Sequence, residues 1–243
     1  MRNKCYVIPV QRKCNMNCCF CSNKLRPYHD ENEVMQINQD FYRSLTHIQK
    51  FGIRYFEFTG GGEPFLHLGL QEIIYAIKEW IPDAYIKVYT NGKTHTVIKA
   101  IDELDISVIH WDRNIVFDLC GYDDPIPLEE HLAFFRENYS CQIRLSVPII
   151  RGAISNREEA IKLIEKTCGY AERYVFRPLN KKTLGYGRLW ASFDLDVENT
   201  EVDRDFSDED EIILWFSNNQ IYRDWYLRER FFEAMAHQKN ALL

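Results

Sequence analysis

The sequence predicts an α/β fold, a parallel sheet with crossover helices that is either open or curled into a partial barrel. Three observations predict it. Short β-branched or aromatic runs alternate with helical periods about six times before residue 185. The chemically unusual residues fall just after those runs, which places them at one end of the sheet, where ligands gather in such folds. Beyond about residue 185 the alternation stops, so a core over 1–185 and an extension over 186–243 are expected.

The strand-like runs are CYVIPV (5–10), RYFEFT (54–59), YIKVYT (85–90), ISVIHW (106–111), QIRLSVPI (142–149) and YVFRPL (174–179). Between them, Val34, Ile37, Phe41, Leu45, Ile48 and Phe51 recur at steps of three and four, one face of a helix. Leu70, Ile73, Ile74 and Ile77 repeat the pattern, and Pro82 follows as a stop. Val97, Ile98, Ile101 and Leu104 form a shorter stripe, as do Leu128, Leu132 and Phe135. Ser155 with Glu158 reads as a capping box opening a helix through Ile161 and Ile164. Residues 194–211 are strongly acidic and read as a solvated loop. A last helix is expected from near Ser207, carrying Ile212, Ile213, Phe216, Trp225, Phe231 and Phe232.

The composition excludes several classes. No apolar run approaches the roughly 20 residues that span a membrane. The start, MRNKCYVIPV, is positive and then apolar, but the apolar part is short, holds Pro9 and runs into QRK without a small-residue cleavage site. A signal peptide is therefore not expected, and the reading is cytoplasmic. A net charge of −6 without a basic stripe weighs against a dedicated nucleic-acid binder. The aromatic residues fall mostly at core periods rather than as a stacking platform for bases.

CNMNCCFCSN (14–23) puts four of eight cysteines into eight residues. In a reducing compartment such crowding favours metal or catalytic use over disulfides. Cys14, Cys18 and Cys21 have the spacing C-x3-C-x2-C, with Cys19 as an interloper beside Phe20. Thiolates suit iron–sulfur clusters, zinc or copper. Structural zinc usually takes two paired knuckles, and no second C-x2-C exists here. Three ligands leave one metal corner open, where exchange chemistry happens.

This segment resembles the radical S-adenosylmethionine (SAM) superfamily, whose C-x3-C-x-aromatic-C is matched by Cys14, Cys18, Phe20 and Cys21. The resemblance covers roughly 5–180 and implies a partial (β/α)6 TIM-type barrel, here with a C-terminal helical extension. It implies a [4Fe–4S] cluster on the three cysteines. The fourth iron would take the amino and carboxylate groups of SAM, which is cleaved to a 5′-deoxyadenosyl radical that abstracts hydrogen from substrate. TGGGEP (59–64) fits neither a dinucleotide fingerprint nor a P-loop. It resembles the family's GGE motif, so Gly61, Gly62 and Glu63 are expected at the SAM amino group. Thr90 and Asn91 of YTNG match a segment that often touches SAM.

His110, Asp112 and Arg177 are candidate catalytic or substrate residues. Arg144 and Ser146, two apart, face one side of their strand. If that side is the interior, Arg144 needs an anionic partner, for which the SAM carboxylate or a substrate acid is expected. RLSVPIIRG and RPLN point to a small polar or anionic substrate, and an electron donor such as a flavodoxin or ferredoxin is expected. Three alternatives stay open: an activase placing a glycyl radical on a partner protein, an RNA-modifying enzyme with the same cofactors, and a zinc-stabilised binding module.

Overall fold

The computed structural model describes residues 3–25, 34–179, 189, 191–202, 213–217 and 219–222. Its strands are β1 (Lys4–Ile8), β2 (Tyr55–Phe58), β3 (Tyr85–Thr90), β4 (Glu103–Ser107), β5 (Gln142–Ile149), β6 (Arg173–Pro178), β7 (Thr200–Val202), β8 (Ile213–Ser217) and β9 (Gln220–Tyr222). Its helices are α1 (Gln39–Lys50), α2 (Leu70–Trp80), α3 (Arg113–Cys120), α4 (Leu128–Asn138) and α5 (Arg157–Thr167). The strands form one sheet in the order β7-β6-β5-β4-β3-β2-β1-β8-β9, parallel throughout except for the β8–β9 hairpin. The sheet is open, a mixed α/β architecture of the partial-barrel kind.

The two faces of this sheet are chemically opposite. Val7, Phe56, Phe58, Ile86, Val88, Leu104, Leu145 and Phe176 lie on the face the helices cover and are essentially inaccessible to water. They pack against Phe41, Leu45 and Ile48 of α1, Ile73 and Ile77 of α2, Phe135 of α4 and Leu163 of α5. Side chains alternate along a strand, so their sequence neighbours take the other face. That inner face carries Glu57, Lys87, Tyr89, Glu103, Asp105, Arg144 and Ser146. Strand register sets Glu57 beside Lys87, Lys87 beside Glu103, and Asp105 beside Arg144. Arg177 of β6 comes within 5.7 Å of the Tyr89 ring of β3. Those strands are three steps apart, about 14 Å on a flat sheet, a gap that these two long side chains reach across.

Several elements differ from expectation. The fourth strand is Glu103–Ser107, not 106–111, because its charged residues find ionic partners on β3 and β5. The stripe Val97–Leu104 is not a helix: Val97 is exposed, Ile98 N–H is held by Tyr139 Oη, and Leu104 belongs to β4. Val34 and Ile37 precede α1, which starts at the Asn38 cap. The box opening α5 sits one residue later than predicted. Asn156 Oδ1 accepts from Glu159 N–H, and the Glu159 carboxylate accepts from the backbone and hydroxyl of Ser155.

The expected C-terminal helix is corrected where it can be seen. Ile213 and Phe216 lie in β8, which pairs with β1, and Phe216 packs on Phe41 with ring centroids 5.5 Å apart. Asn219, at φ 57°, turns the chain into β9, a conformation asparagine tolerates well. Ile212, Trp225, Phe231 and Phe232 lie outside the described residues. Of the acidic segment, Thr200–Val202 forms β7 beside β6 rather than a loop. Among the described residues no helix is long and apolar enough to cross a membrane.

Candidate active site at the cysteine rim

The cysteine loop leaves β1 and the glycine turn leaves β2, so both emerge at one end of neighbouring strands. They are bonded directly. Arg12 N–H donates to Gly61 O, and Glu63 N–H donates to Lys13 O at 2.9 Å. The glycines make this approach possible. Gly61, at φ +75°, would place a Cβ 2.1 Å from Val10 O, and Gly62 would place one 2.2 Å from Lys13 O. The missing side chains thus make room for the base of the cysteine loop itself.

Glu63 is almost wholly buried. Its carboxylate accepts from Phe65 N–H at 3.1 Å, Thr90 Oγ1–H at 2.8 Å and Asn91 N–H at 2.7 Å. All three donors are neutral. Burial pushes the Glu63 carboxyl up to about 7, against the pull of those bonds. A carboxylate has about four acceptor positions, so one remains for a further donor. Asn91 continues the chain of contacts: its Nδ2 donates to Asn15 Oδ1 at 2.6 Å and reaches Cys14 Sγ at 3.9 Å. Glycine turn, TNG turn and cysteine loop are one bonded unit.

The three thiols suit a cluster. Burial pushes Cys14 up to about 11, with the nearby Glu63 and the other two loop thiols adding to it, and burial also raises Cys21. Cys18 is raised by its hydrogen bond to Cys120 and by burial. The loop therefore holds thiols, and metal binding must displace their protons. Ligands of one tetrahedral zinc stand about 3.8 Å apart. Among the described residues no three Cys, His, Asp or Glu gather in that way. Three soft donors on one loop, beside an acceptor able to hold an ammonium, are the donor types that suit an iron–sulfur cluster.

Other candidates lie elsewhere. Arg144 faces inward as expected, but its guanidinium is paired with Asp105, with Glu103 Oε1 at 3.4 Å and Tyr89 Oη at 3.3 Å. The chain supplies the anion that sequence reasoning assigned to SAM or substrate. Ser146 Oγ accepts from Arg177 Nη1 at 3.0 Å, which sets this pair above Arg144 on the inner face. Asp112 caps α3 by accepting from Asn114 N–H at 2.8 Å. His110 Nδ1 accepts from Asp112 N–H, which puts the proton of the neutral ring on Nε2, and the ring stacks on Trp111. Phe20 packs with Val116, Cys120 and Ile150 beneath the cysteine loop.

A small pocket opens here, lined by Met16 of the cysteine loop, Asn91, Lys93, His110, Val116 and His131, among others. Sequence reasoning missed its second wall. Lys93 pairs with Asp124 at 2.6 Å, Asp124 holds His131 at 2.9 Å, and His131 Nδ1 lies 2.8 Å from His95 Nε2. Lys93 and His95 directly follow the TNG turn, but nothing local links them to residues about thirty positions away.

A family model described as the radical SAM superfamily matches residues 8–140, more than half of the chain. The chain belongs to the radical SAM superfamily. This radical SAM chain is therefore of an enzyme class whose cofactors are SAM and a [4Fe–4S] cluster. It is similar to a UPF0026 protein of Helicobacter pylori, 26% identical over 171 residues, covering 64% of this chain and 54% of that one. It is 33% identical over 85 residues to the GTP 3′,8-cyclase of Clostridium acetobutylicum, covering 35% of this chain and 26% of that enzyme. The chain thus spans about half the length, or less, of these relatives. In structure it is similar to Streptococcus suis SuiB bound to the precursor peptide SuiA, with TM-score 0.68 at 15% identity, over 93% of this chain and 60% of that one. A radical SAM methyltransferase from Sphaerobacter thermophilus gives TM-score 0.57 at 16% identity, over 74% and 57% of the two chains. At these identities the two structures speak for the fold alone.

Proposed function

We propose that Cys14, Cys18 and Cys21 hold a [4Fe–4S] cluster and that the adjoining rim binds SAM, for hydrogen abstraction from a small polar or anionic substrate. The observation that carries this is the bonded unit of Glu63, Thr90, Asn91 and Cys14: a buried carboxylate held, among the described residues, by neutral donors alone and joined through one asparagine to the first cysteine. When bound, the cluster supplies the electron that cleaves SAM to a 5′-deoxyadenosyl radical. The chain's own residues do the rest. The Glu63 carboxylate receives the SAM ammonium, a charge-assisted bond in a site already stripped of water. Gly61 and Gly62 fix the loop against β2, so the three sulfurs and that carboxylate keep one geometry. His110 and Lys93 line the pocket beside them.

Support for the substrate class comes from the inner face, where Arg177, Ser146 and Tyr89 present polar groups beneath the rim. A peptide or protein substrate is the second reading, since SuiB carries a precursor peptide on the same fold. Eight unpaired cysteines support a reducing compartment such as the cytoplasm, and the proposed reductant is a small electron-transfer protein. Anaerobic reconstitution should give a brown protein with about four irons at one site, cleaving SAM when reduced. A Cys18→Ala protein that retained both properties would refute the assignment.

A further inference from the structure

Cys120 is not explained by the reading above. It ends α3, is inaccessible to water, and sits among Ile109, Val116 and Ile150, where a small apolar side chain would serve. Yet the last turn of α3 is bonded to the cysteine loop on both sides of Cys18. Asn17 N–H donates to Cys120 O and Cys19 N–H donates to Leu119 O, each at 2.8 Å. A Cβ on Gly121, the next residue, would lie 3.7 Å from Asn17 Cβ, so the two backbones are in contact. Between those two bonds Cys18 is held against the end of α3. Cys18 itself packs in the same apolar cluster as Cys120.

We propose that Cys18 and Cys120 form a reversible disulfide in the iron-free chain, and that this bond withdraws one of the three cluster ligands until it is reduced. The inference rests on the assignment of Cys18 to the cluster. The oxidant is a small disulfide such as oxidised glutathione. Cys18 is the more accessible partner. It displaces one glutathione thiol and forms a mixed disulfide. Cys120 then attacks the Cys18 sulfur and expels the second glutathione. Two thiols lose two electrons and two protons, and one glutathione disulfide becomes two thiols. A disulfide demands close, well-directed Cβ atoms, and the two backbone bonds flanking Cys18 hold it against the residue that ends α3. With iron bound, the Cys18 sulfur is engaged and the bond does not form. Oxidative loss of the cluster would thus leave a protected, restorable chain rather than one exposed to further oxidation of Cys18.

The test uses the full chain, stripped of iron and held anaerobically with oxidised glutathione, then digested with trypsin. The expected product links peptide 14–24 to peptide 114–136, with fragmentation placing the bond at Cys18. The oxidised chain takes up no iron until dithiothreitol is added, and the iron-loaded chain resists linkage. Cys19→Ala keeps the link. Cys120→Ala, or Cys120→Ser should the alanine variant be insoluble, loses it while its reduced form takes up iron as the parent does. A bond confined within 14–24, or glutathione left on the loop with Cys120 free, overturns the inference. A reduced chain that takes up no iron overturns the cluster assignment instead, whereas normal iron uptake without the link overturns this inference alone.

Discussion

The rim and the floor of the inner face both bury charge, and they treat it in opposite ways. On the floor, Lys87 lies 2.9 Å from Glu103 and 3.5 Å from Asp105, and Arg144 pairs with Asp105. Lys87, Glu103, Asp105 and Arg144 each have a counter-charge on a neighbouring strand, while Glu57 accepts from Tyr89 Oη at 2.6 Å. At the rim, among the described residues, Glu63 has only neutral donors, and its carboxyl is pushed up to about 7. Those four floor side chains are ion-paired within the chain. At the rim the Glu63 carboxylate has no counter-charge among the described residues, in keeping with the proposed ligand ammonium. The difference separates buried ions paired within the chain from a buried carboxyl that is not. Depth alone does not separate them, since Asp105 and Glu63 are both buried.

The contrast can be broken at four points. The largest effect is expected from Gly62→Ala. Its Cβ would stand 2.2 Å from Lys13 O, so the base of the cysteine loop must part from β2. Iron uptake is lost while far-ultraviolet circular dichroism still reports the folded sheet; normal uptake would show that the glycines do not position the loop. Next comes Arg144→Met, which strands the Asp105 carboxylate and costs about 3–5 kcal/mol in denaturant unfolding. Adding Asp105→Leu restores most of it. SAM affinity of the folded fraction stays unchanged, and a selective loss of SAM binding would move Arg144 from the floor to the site.

Glu63→Gln removes the charge at the rim with little change in shape. SAM affinity should fall by about 1.5–3 kcal/mol, roughly ten- to a hundredfold in Kd. The pH dependence carries a sign that calorimetry can check. Glu63 holds its proton more tightly in the fold than in the unfolded chain, so its contribution to stability falls as pH rises from about 4.5 to about 7. SAM binding should strengthen over that window, because only the ionised carboxylate receives the ammonium. Both slopes should vanish in Glu63→Gln. The smallest effect belongs to Asp112→Ala, which removes the α3 cap and costs about 1 kcal/mol of stability. Iron content and SAM affinity should not change, and a change in either would return Asp112 to the active site.

How much of this was legible depends on whether a signal is local. The cysteine spacing, GGGEP and TNG are local, and the structure brings all three into one bonded unit. The fourth strand was placed late because Glu103 and Asp105 look like loop residues until Lys87 and Arg144 are set beside them. The stripe Val97–Leu104 satisfied a helical period yet served a loop and the start of a strand, since periodicity cannot tell which element a short apolar set will meet. The C-terminal run ILWFS carried a strand signal that a helical reading of more distant aromatics obscured.

The sequence by itself determined the alternation of strand and helix, the rim at which the chemistry gathers and the three sulfurs that define the family. These are contained in runs of a few residues, whose spacing and type suffice. Only the tertiary structure decided which charges are spent on one another. Arg144 and Glu63 are both ionisable residues for which the sequence suggests a ligand, one inside a strand and the other just past one. Cross-strand register gave one a carboxylate and left the other with amides and a hydroxyl, because counter-charges come from strands that fold together over long separations in sequence.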